Sequence, residues 1–133
     1  MKMFLLSAII SLGVCQGYSQ PKSFQDLVGR WEVLGDQVSG SGLVVADSSN
    51  IILTYNGDKK KVLEYKLDFS KSPIWFDFTV EEGDSALRVK SIIELIDNTH
   101  LKWQLFVNEE RTEKFSPTKG EFFYLKKSLT SIL

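Results

Sequence analysis

Cysteine, histidine and proline are almost absent from this chain, which holds one, one and three of them. The single cysteine, Cys15, falls in an apolar leader, so neither a disulfide framework nor a thiol nucleophile is available to the domain that follows it. With His100 as the only histidine, a Cys/His zinc site is excluded, and no acidic loop has calcium-binding spacing. A Gly-x-Ser-x-Gly elbow is missing as well. The glycines of Ser39-Gly40-Ser41-Gly42 lack the Gly-Lys-Ser/Thr continuation and the following helix that a phosphate cradle needs, and they read as a loop. His100 has no identifiable nucleophile beside it in sequence, and the carboxylate pairs Glu81-Glu82 and Glu109-Glu110 sit at turns, where charge is solvated. The expectation is a protein without catalysis, metal or cofactor. A dominant charge is also lacking: 16 basic and 17 acidic residues leave a net charge of −1, which suits neither nucleic acid nor an anionic membrane surface as partner.

Only one long apolar run exists, and it lies at the start. In MKMFLLSAIISLGVCQGYSQ, Lys2 precedes an apolar stretch from Met3 to Val14, then small and polar residues follow to Gln20. That is the layout of a secretory signal, and the run is too short for a stable membrane span. Gly17 and Ser19 take the −3 and −1 positions of a cut before Gln20, so residues 1–19 are expected to be a signal peptide and 20–133 a single exported domain, periplasmic or secreted. Lipid anchoring at Cys15 is the alternative, opposed by the bulk of Val14 just before it.

What is present is alternation. Leu63, Tyr65, Leu67 and Phe69 alternate with Glu64, Lys66 and Asp68. Leu87, Val89, Ser91, Ile93 and Leu95 share a face opposite Arg88, Lys90 and Glu94, and Leu101, Trp103, Leu105 and Val107 repeat the pattern. Period two with one dry and one wet face marks half-buried strands. Asn56-Gly57 is the strongest hairpin signal, because a type I′ turn needs positive φ at both central residues. Strands are predicted at 30–36, 42–47, 50–56, 61–69, 74–81, 86–96, 100–108 and 120–127, after a helical turn within Ser23–Val28, with room for a short ninth strand around Arg111–Phe115. Neighbours joined by hairpins form a meander, and closing it removes the exposed edges. The predicted fold class is therefore all-β, an eight-stranded antiparallel up-and-down β-barrel, with a β-sandwich as the competing arrangement.

The segment Leu27-Val28-Gly29-Arg30-Trp31 resembles the opening of lipocalins and the wider calycin families, whose first strand begins with Gly-x-Trp after a short helical turn. The succession SPIWFDF, IIELIDNTHLKWQ, RTEKF and FFYLKK is similar to small exported bacterial domains regarded as lipocalin-like, although Ile93 and Thr112 stand where those often carry tyrosine and proline. The resemblance implies a barrel in which Gly29 permits close backbone approach and Trp31 plugs one end. It also implies a basic side chain lying over that indole, for which Arg111, Lys126 and Lys127 are candidates. It implies no activity.

Aromatic residues lining an apolar interior would make a small-molecule site, and Tyr55, Tyr65, Trp75 and Trp103 are the candidate lumen residues together with Asp77 and Ser91. Trp75 and Asp77 share a strand face with Thr79, opposite Ile74, Phe76, Phe78 and Val80. If the apolar face turns inward, Asp77 is a surface charge; if the strand is turned over, an inward Asp77 needs a donor such as Arg111. Ser91 interrupts a dry face, where it would serve a ligand or hydrogen-bond to backbone. Two functions remain open. One is an exported lipocalin-like barrel that binds a small, mostly apolar molecule through its interior or open end; the other is a protein-interaction or structural module with a filled barrel and functional loops, the segment Asn108–Gly120 foremost among them.

Overall fold

The computed structural model describes residues 23–35, 41–55 and 57–128. The expected signal peptide with Cys15, and likewise Ser39, Gly40 and Asn56, lie outside the described residues. A 3-10 turn, Phe24–Leu27, leads into eight strands: β1 Gly29–Val33, β2 Gly42–Asp47, β3 Asn50–Tyr55, β4 Asp58–Asp68, β5 Ile74–Glu82, β6 Ser85–Asp97, β7 His100–Phe106 and β8 Glu121–Lys127. Every neighbouring pair is antiparallel and the sheet is a closed barrel in sequence order. β8 returns to β1 through the pairs Trp31↔Lys127, Glu32↔Lys126 and Val33↔Leu125. The ninth strand around Arg111–Phe115 does not form; that stretch belongs to an irregular connection between β7 and β8. Among the described residues no helix is long and apolar enough to cross a membrane.

Alternation fills the interior. Leu43 and Val45, then Ile74, Phe76, Phe78 and Val80, then Val89 and Ile93, and finally Leu101, Trp103 and Leu125 are all buried and form one core cluster. The face of β5 is thereby decided, with Phe76 and Phe78 inside and Trp75, Asp77 and Thr79 outside. On β4 the expected dry face shifts partway along. A register shift between Val62 and Glu64 turns Val62 inward and leaves Leu63 51% exposed, while Tyr65 and Leu67 still pack against the core. An extra residue in one strand reverses the phase of everything beyond it, so alternation alone could not locate Leu63.

One end of the barrel is stoppered as the Gly-x-Trp opening implies. Trp31 is fully buried and its Nε1 donates to the Leu27 carbonyl at 2.9 Å, joining the 3-10 turn to the first strand. Gly29, at φ 148°, leaves the space through which the Lys127 side chain passes, for a Cβ there would collide with Lys127 Cε. Lys127 Nζ then lies 5.4 Å from the Trp31 ring, a cation–π contact at the end of the barrel. The basic partner of Trp31 is therefore Lys127 and not Arg111, because the Trp31↔Lys127 register places the two on the same face.

The bulge in β4 makes a sharp mutational contrast. Val62→Asp is expected to destabilise by about 3–5 kcal/mol as an unpaired buried charge, and Leu63→Asp to change stability by no more than about 0.5 kcal/mol, both read from urea unfolding midpoints.

Candidate functional site

The candidate lumen residues separate into those inside the barrel and those outside it. Ser91 is fully buried; its Oγ donates to the Phe76 carbonyl at 2.5 Å and accepts from Trp103 Nε1 at 2.9 Å. The hydroxyl thus bonds backbone and indole, and every polar atom of this small network has a partner. Phe76, Phe78, Trp103 and Phe123 fill the space around it, with successive ring centroids 4.9 to 6.4 Å apart. Tyr65 lies near the end closed by the 3-10 turn, against Phe24 and Phe76, and its hydroxyl donates to the Ser48 carbonyl at 2.8 Å. Burial raises its phenol above the usual tyrosine range, and the Asp47 charge adds to the rise. Among the described residues, a void under the 3-10 turn, lined by Phe24, Leu27, Leu43, Val45, Ile51, Leu67, Phe76 and Ile93, amounts to about 10 Å³, room for about one water molecule.

Trp75 and Asp77 lie outside the barrel, and Tyr55, in the inward phase of Ile51 and Leu53, sits at its rim. Tyr55 is 48% exposed at the β3–β4 hairpin, where it pairs with Asp58. Trp75 and Asp77 are on the outer face, where the apolar alternation of β5 puts them. Asp77 nevertheless finds the donor that an inward position would have required: Arg111 Nη1 bonds its Oδ1, and the same guanidinium lies 3.7 Å from the centroid of the Trp75 ring. The Arg111 side chain is 10% exposed and that of Asp77 38%, so the guanidinium is largely covered while the carboxylate still reaches water.

The clamp belongs to a larger arrangement. The segment Asn108–Gly120 forms a strap that leaves β7, crosses to β5 at Arg111 and returns over β7 to β8. Asn108, at φ 59°, and Gly120, at φ 67°, make the two left-handed corners, and a Cβ at Gly120 would strike the Leu105 carbonyl. The returning arm is held by Gln104, which is 1% exposed. Its Nε2 donates to the carbonyls of Ser116 and Lys119, and its Oε1 accepts the Ser116 N–H at 2.9 Å. Phe115 packs on Phe122 at 5.3 Å, with Lys102 Nζ 4.5 Å from the Phe115 ring. Between the two anchors, Ile92 pairs with Trp75 on one side and Gln104 on the other and is fully buried; Phe106 is also buried. At Ile92, Gln104 and Phe106 the barrel wall is therefore buried on its outer face as well as its inner one.

Sequence reasoning missed Gln104, Ile92 and Phe106. A signal existed: Trp75, Ile92, Phe106 and Phe122 are apolar residues in the wet phase of four consecutive strands, β5 to β8. Such positions call for a cover, and the adjoining connection is the long one.

Beside the strap's outgoing arm, the outer face of β4, β5 and β6 forms an open groove of about 690 Å³, lined in part by Glu64, Lys66, Thr79, Arg88, Lys90 and Glu110. At the opposite end of the barrel three hairpins carry aspartates that accept bonds from their own turns. In the last, the Thr99 N–H and the His100 side chain bond Asp97, holding its carboxyl down to about 2. His100 is thus engaged within its own turn. No family model matches this chain, and neither a curated protein nor a solved structure is significantly similar to it. The eight-stranded antiparallel closure is compatible with a lipocalin-like fold.

Gln104→Leu keeps the side-chain volume but strips the strap of its partners. It is expected to cost about 1–3 kcal/mol and to admit trypsin after Arg111, Lys114 or Lys119, as seen by mass spectrometry of the digest. The Asp97 turn is an acid-sensitive element: its folded pKa lies below the unfolded value of about 3.9, so its stabilisation is complete above that value and is lost as pH falls through about 2. Carboxyl NMR titration should place the Asp97 midpoint near 2, with His100→Ala raising it part of the way because the Thr99 N–H remains.

Proposed function

We propose that the protein is an exported, lipocalin-like binding module without chemistry of its own, and that it engages a partner on its outer face along the strap. The observation that carries this reading is the contrast between the two surfaces. The void of about 10 Å³ under the 3-10 turn is far below the ~300–1,000 Å³ of small-molecule pockets, and aromatic rings occupy the barrel axis. The outer face instead presents a groove of about 690 Å³ beside a strap anchored at both arms. Positioned loops on a rigid scaffold are where binding function concentrates. A barrel remains compatible with a small apolar ligand in its lumen, but admitting one requires displacing side chains from the core. Export rests on the layout of residues 1–19, and the calycin relationship on the Gly-x-Trp opening with the Lys127 contact over Trp31.

Native mass spectrometry of the mature protein purified from its own host tests the choice. The expected spectrum shows the bare chain together with a protein complex that disappears when 108–119 is replaced by a Gly/Ser linker. Stoichiometric retention of a small apolar molecule would overturn the reading.

A further inference from the structure

We propose that Trp75 and Asp77 form a receptor for an arginine side chain. Arg111 fills it in the free protein, and a partner segment bearing an arginine between acidic residues fills it in the complex. This rests on the outer face being the interaction surface and names the chemistry recognised there.

An aromatic face beside a carboxylate is the combination that selects a guanidinium, which stacks on the one and donates in-plane bonds to the other. Trp75 draws a second cation as well, since Lys71 Nζ lies 4.7 Å from its ring centroid. The anchoring of the strap is uneven. Its returning arm is tied by the hydrogen bonds of Gln104 and by the Phe115–Phe122 contact. On the outgoing arm, Arg111 provides the link to the barrel, while Glu109 and Glu110 make no hydrogen bond or ion pair among the described residues. An arm held through one side chain is the part of the strap that opens at least cost.

The groove beside that arm supplies both the room and the charge for an incoming segment. Lys66, Arg88 and Lys90 line it; among the described residues none is within salt-bridge distance of a carboxylate, although the Lys66 charge also acts on Asp68. Lys66 and Glu64 flank the β5 positions Asp77 and Thr79 in the register, and Arg88 faces Thr79 from the other side. The strap's own order, Glu109-Glu110-Arg111-Thr112-Glu113, is an arginine set among glutamates. A chain with the same order satisfies Trp75 and Asp77 with its arginine and the groove cations with its acids. Glu64, Glu109 and Glu110 exclude a purely acidic chain, and the groove cations exclude a purely basic one. Because Arg111 competes from within the same molecule, intrinsic affinity is masked until the arm releases.

The probe is a synthetic octapeptide with the sequence of residues 108–115, against a control peptide whose arginine is replaced by glutamine. Fluorescence anisotropy of the labelled peptides is measured with mature wild-type protein and the Arg111→Gln and Trp75→Leu variants, each checked for native circular dichroism. The peptide is expected to bind Arg111→Gln at least about tenfold more tightly than wild type, and at least about tenfold more tightly than the control peptide does, a margin of ~1.4 kcal/mol in each case. Should Arg111→Gln fail to fold, the wild type decides: saturating peptide is expected to accelerate hydrogen exchange at residues 109–113 while the control peptide leaves it unchanged. Equal binding of the two peptides, absence of binding, or unchanged exchange at saturating peptide overturns the proposal. A natural partner that needs the strap but tolerates Trp75→Leu would also overturn the arginine receptor, and would leave the outer-face reading standing.

Discussion

Closure of the sheet, β8 onto β1, is the constraint on which the rest of this structure depends. The pairs from Trp31↔Lys127 to Val33↔Leu125 give each of the eight described strands a neighbour on both sides. They also bring Lys127 across Gly29 to the buried indole, so hydrogen bonding, packing and a cation–π contact meet at a single seam. With no disulfide available, the domain is held by such contacts and by burial alone. The short circumference that closure imposes then makes the inward side chains meet across the axis, and a barrel with aromatic residues on several strands fills itself.

A filled interior moves the question of function outward. From β5 to β8 the outer positions include the apolar Trp75, Ile92, Phe106 and Phe122 together with the buried Gln104, and the strap lies over them. Gln104 shows how this cover is made compatible with burial. Its amide supplies both a donor and an acceptor to a strap whose backbone has no strand to pair with. Arg111 plays the complementary part at the far turn of the strap, where a cation–π contact and a charge-assisted bond converge on one guanidinium.

Much of the architecture was legible. Alternation predicted all eight strands with similar bounds, and the Gly-x-Trp opening pointed to the stoppered end. The candidate site was legible only in part. Arg111 as the donor to Asp77 was anticipated, but for a strand turned inward, whereas the pair forms on the outer face. Ser91 and Trp103 were placed inside as expected, and they bond each other and the Phe76 carbonyl. Leu63 was misplaced because a bulge carries no mark in the hydrophobic pattern.

What the sequence by itself determined is the set of strands, their order and the inner layer outside the β4 bulge, because these follow from local periodicity and short turns. What only the tertiary structure decided is which basic residue reaches which indole, where the phase of β4 breaks, and that the Asn108–Gly120 segment folds back over an apolar outer face. Those outcomes join residues far apart in the chain, Asp77 with Arg111 and Trp31 with Lys127, and such pairings exist only after closure has fixed the register that brings them together.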